Sequence, residues 1–316
     1  MKQIIYPPQI EPYTIEVEAT NYCTANCIFC NNKDSLRNRG FLDKEKFDNF
    51  LKTVSNKRKD MWLNKKAEKE VFPKIVFGGL GEPLLHPNII ELIKSCKKYG
   101  LKVKLITNAS LLHEKNIDEL FNLEIDEISV SLHSLNPIIY NQITGLNLND
   151  VFPNVKCLLE KCKSSNIIIE IWRVYAPVGM LRDTEEDMIN FNEFVSQYPF
   201  VKVFGPSEPW SRDGKVENSV CNKVYDNKEK IWCHKIYFTF NIAWDGKVVL
   251  CCNDYNRITC ELGNVFDENF NYQNVINKKN NILNKLNVPK ICLDCSRWSD
   301  TEYFELFNCY LNKLEV

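Results

Sequence analysis

Cys23-Thr-Ala-Asn-Cys27-Ile-Phe-Cys30 sets three thiols in a C-x3-C-x2-C run directly after a strand-like stretch, Thr14 to Thr20. Thiolates so closely spaced can each hold one iron of a four-iron cluster and leave the fourth iron without a protein ligand. An iron left open in this way can bind a cofactor. The competing readings are a zinc site or three buried thiols. Zinc favours four ligands in paired C-x2-C knuckles, and the lone triplet argues against it.

A second set of cysteines lies in the C-terminal part. Cys233 and Cys251 flank a hairpin pattern, Tyr237 to Ala243 and Lys247 to Leu250 around Trp244-Asp-Gly246, and an aspartate-glycine pair is a turn signal that brings the two cysteines to one end. After a helix-like stretch, Asn274 to Leu286, Cys292-Leu-Asp-Cys295 adds a C-x2-C knuckle. Four thiolates in this arrangement suit structural zinc or a fully ligated iron-sulfur cluster, and spacing does not separate the two. Either Cys251 or the adjacent Cys252 can be the ligand. Cys96, Cys157 and Cys162 sit in helix patterns and read as packing residues.

The elements that must position these groups alternate along the chain. Lys74 to Phe77 reads as a buried strand running into Gly78-Gly-Leu-Gly-Glu-Pro83, after a helix pattern over Leu42 to Leu51 with Asp43 as its cap. Helices over Asn88 to Tyr99, His113 to Leu123, Val151 to Ser165 and Thr184 to Gln197 then each precede a strand, at Leu101 to Thr107, Glu127 to Ser131, Ile167 to Val174 and Val201 to Phe204. This alternation predicts an α/β fold with a parallel sheet and right-handed crossovers. Six strands are too few for an eight-fold barrel. Ligands in such folds sit at the carboxyl ends of the strands, and the cysteine loop follows the first strand directly.

The triplet, with the aromatic Phe29 before its last cysteine, resembles the signature of the radical S-adenosylmethionine (SAM) family. The resemblance implies a partial (β/α)6 barrel, in agreement with the strand count. It also implies that the cluster held by Cys23, Cys27 and Cys30 chelates SAM through its open iron and cleaves it to a 5′-deoxyadenosyl radical. Gly79, Gly81 and Glu82 match the family's glycine-rich segment, which receives the SAM amino group, although here it reads G-G-L-G-E-P and not the commoner G-G-E-P, which leaves Gly78, Gly79 and Gly81 as alternatives. Thr107-Asn108 stands where the family usually has T-N-G. Ser131, His133 and Arg173 fall where it often places groups for the SAM carboxylate and ribose. His133 is also a candidate acid or base, with a structural hydrogen-bond role as the alternative.

C-x12-G-x4-C (Cys233, Gly246, Cys251) followed by C-x2-C is similar to the auxiliary-cluster region of the SPASM and twitch subfamilies. The absence of a C-x2-C-x5-C run favours one auxiliary cluster, as in the shorter twitch-type enzymes, and so two [4Fe-4S] clusters in all. On this reading residues 1–206 form the radical SAM barrel, 207–232 a linker and 233–316 a small auxiliary-cluster domain of β-hairpin plus helix. If Cys251 is the ligand, Cys252 is a packing residue or a thiol that donates hydrogen to a substrate radical.

The compact layout resembles enzymes that oxidise or epimerise aminocyclitols and sugars, and Glu170, Trp172, Arg173, Trp210 and Asp254 would suit a hydroxyl- or amine-rich ligand at the mouth. A ribosomally made peptide is the alternative substrate. A zinc-knuckle binding protein and a two-cluster electron carrier are the alternatives outside the class, but a carrier leaves Gly79, Glu82 and Ser131 without a purpose. The resemblance also implies a flavodoxin- or ferredoxin-type reductant.

Composition narrows the partners. The chain has 316 residues, with 40 Lys plus Arg against 41 Asp plus Glu, so no broad basic field draws nucleic acid or an anionic membrane. No apolar run of membrane-spanning length occurs, and Met1-Lys-Gln-Ile-Ile-Tyr-Pro-Pro lacks a secretory h-region, which leads to a cytoplasmic expectation. Fourteen cysteines in such a chain indicate metal or redox chemistry rather than disulfides.

Overall fold

A computed structural model describes residues 14–61, 74–209, 235–236, 239–252, 254, 256 and 262–284. Strands β1 (Thr14–Val17), β2 (Lys74–Phe77), β3 (Lys102–Thr107), β4 (Glu127–Ser131), β5 (Ile168–Val174) and β6 (Lys202–Ser207) pair in parallel in chain order. The sheet stays open, as a partial barrel. Strand β7 (Thr239–Ile242) pairs in parallel with the free side of β1, and β8 (Lys247–Val249) and β9 (Gly263–Asn264) follow antiparallel, giving a nine-stranded sheet. The C-terminal hairpin anticipated around Asp245-Gly246 is therefore continuous with the barrel sheet. Gly246 takes φ 82° at its turn, where a side chain would also strike Phe266.

The helices are α1 (Lys44–Met61), α2 (Ile89–Lys98), α3 (Glu114–Asn122), α4 (Pro137–Thr144), α5 (Leu148–Cys162), α6 (Glu185–Ser196) and α7 (Tyr272–Asn284), with a 3₁₀ turn at Pro83–Leu85. Local chemistry sets their starts: Asp43 accepts from Lys46 N at 2.8 Å, and Thr184 and Asp187 form a reciprocal capping box at α6. Helix α4 is absent from the sequence reading. Asn136 caps it, Pro137 opens it and Gly145, at φ 70°, closes it, three signals compressed into ten residues.

Strands β1 to β5 each turn one face to the core and the other inward. Ile15 and Val17, Ile75 and Phe77, Val103 and Leu105, Ile128 and Val130, and Ile169 and Ile171 are buried, and they form one core with Leu92, Ile93, Leu120, Val155, Leu158 and Phe191 of the helices. The alternate positions, among them Glu16, Lys74, Lys104, Ser129 and Trp172, line a chamber inside the barrel. Phe50, Phe240 and Tyr272 stack in series, with centroids 6.3 and 4.9 Å apart, and join α1, β7 and α7. No helix among the described residues is long and apolar enough to cross a membrane.

Candidate functional site

The cysteine loop leaves β1 and returns along it. Gly40 N donates to Asn21 Oδ1 (2.9 Å), Leu42 N to Ala19 O (2.8 Å) and Thr20 Oγ1 to Gly40 O (2.6 Å). Arg37 binds the buried Glu18 carboxylate through both terminal nitrogens, at 2.7 and 3.1 Å. The cysteine segment itself rests on the end of α4: Asn26 N donates to Thr144 O (2.8 Å) and Ile28 N to Ile143 O (2.9 Å). Phe29 packs with Ile139, Ile143 and Ala176. The helix missed in the sequence is thus a seat for the triplet.

The glycine segment after β2 closes on the same loop. Glu82 N donates to Tyr22 O at 2.8 Å, and a Cβ on Gly81 would lie 2.1 Å from Thr20 O and 2.6 Å from Tyr22 O. Gly81 is therefore fixed by close packing. Gly79 has φ 101°, a left-handed conformation that favours glycine. The Glu82 carboxylate is buried and accepts from Thr107 Oγ1 (2.7 Å), Asn108 N (2.8 Å) and Leu84 N (3.2 Å). Burial pushes its pKa up to about 7 despite those donors. It ties the ends of β2 and β3 together.

Asn108 reaches back to the cysteine loop, donating from Nδ2 to Thr24 Oγ1 at 3.0 Å and to Cys23 Sγ at 3.8 Å. His133 is buried and packs edge-on against Phe29 at 5.3 Å, and its Nδ1 accepts from Val174 N at 3.2 Å. Burial, with the Arg173 charge second, lowers its pKa to about 4. The ring is neutral near pH 7, and with Nδ1 accepting, Nε2–H is the group it can offer.

These residues meet at one cavity of about 260 Å³ at the carboxyl ends of the strands. Its wall contains Cys23, Cys27, Cys30 and Phe29, together with Gly79, Gly81, Glu82, Thr107, Asn108, Ser131 and His133. Arg173 does not join them. It shares the helix-facing side of β5 with Ile169 and Ile171, buried, where it pairs with Asp183 at 2.5 Å and lies 3.7 Å above the Phe191 ring. Strand parity sends Trp172 inward instead. Of the other mouth residues named from the sequence, Glu170 accepts from Trp172 Nε1, Asp254 is buried, and Trp210 lies outside the described residues.

The triplet fits a cluster. The three thiols are half-buried and share one cavity wall. Three thiols on one wall can each hold one iron of a cluster. Burial pushes the Cys23 thiol up to about 11, so its thiolate needs a cationic partner in place. The radical SAM superfamily model matches residues 17–195, more than half of the chain.

The chain belongs to the radical SAM superfamily.

As an enzyme of that superfamily it is expected to use SAM and one [4Fe-4S] cluster. Among characterised relatives, the tungsten-containing aldehyde ferredoxin oxidoreductase cofactor-modifying protein of Pyrococcus furiosus is 31% identical over 131 residues, or 40% of this chain and 32% of that protein. The chain spans less than half the length of the curated relatives it matches. Two solved structures share the radical SAM fold. BtrN in complex with AdoMet and 2-DOIA superposes with TM-score 0.58 at 17% identity, over 90% of this chain and 93% of that one. Streptococcus suis SuiB bound to the precursor peptide SuiA gives 0.61 at 14% identity, over 91% and 70%.

Cys251 and Cys252 are both half-buried at the end of the C-terminal hairpin, while Cys233, Cys292 and Cys295 lie outside the described residues. Cys252 lines the chamber inside the barrel, of about 400 Å³. A hydrogen bond with Cys251, and then burial, hold the Cys252 thiol well above its usual pKa. That chamber shares Gly79, Leu80, Ile106, Ser131 and Trp172 with the cysteine cavity, so the two spaces meet. Its remaining polar wall, including Lys74, Lys104, Ser129 and Lys235, was not singled out in the sequence. The available signal was the polar-apolar alternation of Lys102 to Thr107 and Glu127 to Ser131.

Proposed function

We propose that this radical SAM enzyme abstracts a hydrogen atom from a carbon of a sugar- or aminocyclitol-like substrate, with epimerisation or oxidation as the outcome. The supporting observation is the junction of the two cavities: a half-enclosed polar chamber of about 400 Å³, sized for a single ring, opens on the cysteine cavity past Ser131 and Trp172. Trp172 stacks on Phe204 at 4.4 Å and offers a flat platform for a ring.

In this reading Cys23, Cys27 and Cys30 hold the cluster. Gly79 and Gly81 bring the backbone close to SAM, and Ser131 and the His133 Nε2–H supply hydrogen bonds to it. Glu82 keeps the Thr107-Asn108 strand end in register with the cysteine loop. When bound, the cluster and SAM supply a 5′-deoxyadenosyl radical that takes hydrogen from the substrate. The protein's own tasks are to orient the ring and exclude water.

The C-terminal unit completes the proposal as a twitch-type domain, with Cys233, Cys251, Cys292 and Cys295 around a second [4Fe-4S] cluster. Cys252, on the chamber wall, would then return a hydrogen atom from its S–H to the substrate carbon. Return of that hydrogen atom to the opposite face would give epimerisation, and a second cluster held by Cys233, Cys251, Cys292 and Cys295 would supply the electron that, with one proton, restores the Cys252 thiol. Without that return, the substrate radical would lose a proton to solvent and an electron, for which a second cluster would be the acceptor, to give the oxidised product.

The test is reconstituted protein with SAM and dithionite in deuterated water, offered sugars, aminocyclitols and peptides in turn. Ring substrates should stimulate 5′-deoxyadenosine formation. Deuterium at one product carbon identifies epimerisation, and loss of two hydrogens identifies oxidation. Stimulation by peptides alone overturns the sugar reading.

A further inference from the structure

The inner chamber carries charge in an ordered way. Lys74 Nζ donates to both oxygens of Glu127, at 2.6 and 2.8 Å, and Lys104 Nζ lies 2.5 Å from Glu170 Oε2 and 3.6 Å from Glu127 Oε2. Lys235 Nζ lies 2.6 Å from Glu16 Oε1. All three lysines and Glu16 form part of the chamber wall, whereas Glu127 and Glu170 do not. Lys74 and Lys104 thus line the chamber, while their carboxylate partners on β4 and β5 stand outside its wall. Glu170 is held there firmly, since its Oε2 also accepts from Ser129 Oγ (2.7 Å) and Trp172 Nε1 (2.9 Å).

Stability does not explain this array. Ion pairs with side chains only 12 to 30% exposed lose in desolvation much of what they gain by attraction, and apolar residues of similar volume serve as well. The opposite faces of the same strands, with Ile75, Val103, Leu105, Ile128 and Ile169, are built that way. An ammonium has three donor hydrogens. Glu127 takes two from Lys74, and the Glu127 and Glu170 contacts account for two on Lys104, so Lys74 and Lys104 each keep a donor for a ligand.

We propose that the chamber anchors an acidic group of the substrate, a carboxylate or a phosphate, on Lys74 and Lys104. The inference rests on the reading of this chamber as the substrate site. Lys74 opens β2, far from the cysteine loop at the other end of the strands. An acid bound there leaves the rest of the molecule to extend past Trp172 and Ser131 toward the cysteine cavity. The acidic group becomes the specificity element, and a neutral ring lacks its anchor.

The experiment is calorimetric titration of the cluster-loaded protein with glucose 6-phosphate, glucuronate and glucose, so that phosphate and carboxylate are read separately. At least one acidic probe should bind about tenfold or more tighter than glucose, and added salt should erode the difference. Lys104→Gln and Lys74→Gln should weaken that binding by about tenfold, while Glu170→Gln, which removes a set-back negative charge, should strengthen it. Each variant is used only with wild-type iron content. Absence of any preference for the acidic probes, or a shift in the same direction for Lys104→Gln and Glu170→Gln, overturns the proposal. Binding is read without radical chemistry, so a failure of SAM cleavage would sink the functional reading separately.

Discussion

Asn108 places its side-chain Nδ2 3.8 Å from the thiol of Cys23 while its backbone N–H donates to Glu82 at 2.8 Å. One residue thereby couples a cysteine of the triplet to the carboxylate that ties β2 to β3. Hydrogen bonds to cluster sulfurs raise reduction potential. Asn108→Ala should lower the midpoint potential of the SAM-binding cluster, on the order of tens of millivolts. A redox titration followed by electron paramagnetic resonance reads this directly, and an unchanged potential would mean that the contact only holds the loop through Thr24.

Gly81 has no room for a side chain. With a Cβ meeting Thr20 O at 2.1 Å, Gly81→Ala must push the glycine segment off the cysteine loop. Stability should fall by about 2 kcal/mol or more, as is usual for overpacking against backbone, and iron loading should fall with it. Gly79→Ala is strained through its φ of 101° instead and should leave iron content intact while weakening SAM binding. Denaturant melts with iron analysis of the two variants distinguish the effects.

Arg173 tests the difference between a ligand-binding and a structural arginine. Its guanidinium is buried against Asp183 and Phe191, so Arg173→Ala takes the ion-pair partner from the Asp183 carboxylate, which keeps the Ser134 hydroxyl, and should cost about 3 kcal/mol or more. SAM affinity of the folded fraction should change little. A large loss of SAM affinity at unchanged stability would restore the role suggested by its place near the strand end.

The pH dependence of stability separates Glu82 from His133. Glu82 has a folded pKa of about 7 against an ordinary value of 4.5, so the native state holds the extra proton and stability falls as pH rises between those values. His133 has a folded pKa of about 4 against 6.5, so the unfolded state holds the extra proton and stability is lost as pH falls through that range. Between about pH 4.5 and 6.5 the two slopes oppose each other. Glu82→Gln should unmask stability that rises with pH, and His133→Gln stability that falls with it. Denaturation of the cluster-free protein at several pH values checks both signs.

The six strands, their order and the cavity at their carboxyl ends were legible because each βα unit is local, with its own caps and apolar period. The cysteines, Gly79, Glu82, Asn108 and Ser131 could be named because they stand at strand ends where they resemble family motifs, and the structure brings them to one cavity wall. Helix α4 was not legible: its eight residues are too few for a clear period, and only Asn136, Pro137 and Gly145 mark it. The lysine-glutamate wall escaped because its members come from separate strands, and their pairing depends on register, such as Lys104 opposite Glu127. Arg173 shows the parity rule at work, since one step along β5 separates the chamber from the core.

The central claim is that Cys23, Cys27 and Cys30 hold a cluster whose open iron binds SAM. The most direct measurement is anaerobic iron and sulfide analysis with electron paramagnetic resonance of the reduced protein, with and without SAM. The account predicts a SAM-shifted signal that disappears in Cys23→Ala, Cys27→Ala and Cys30→Ala, and about eight irons per chain when the auxiliary site is also filled. A signal indifferent to SAM, or SAM cleavage retained in all three variants, would contradict it.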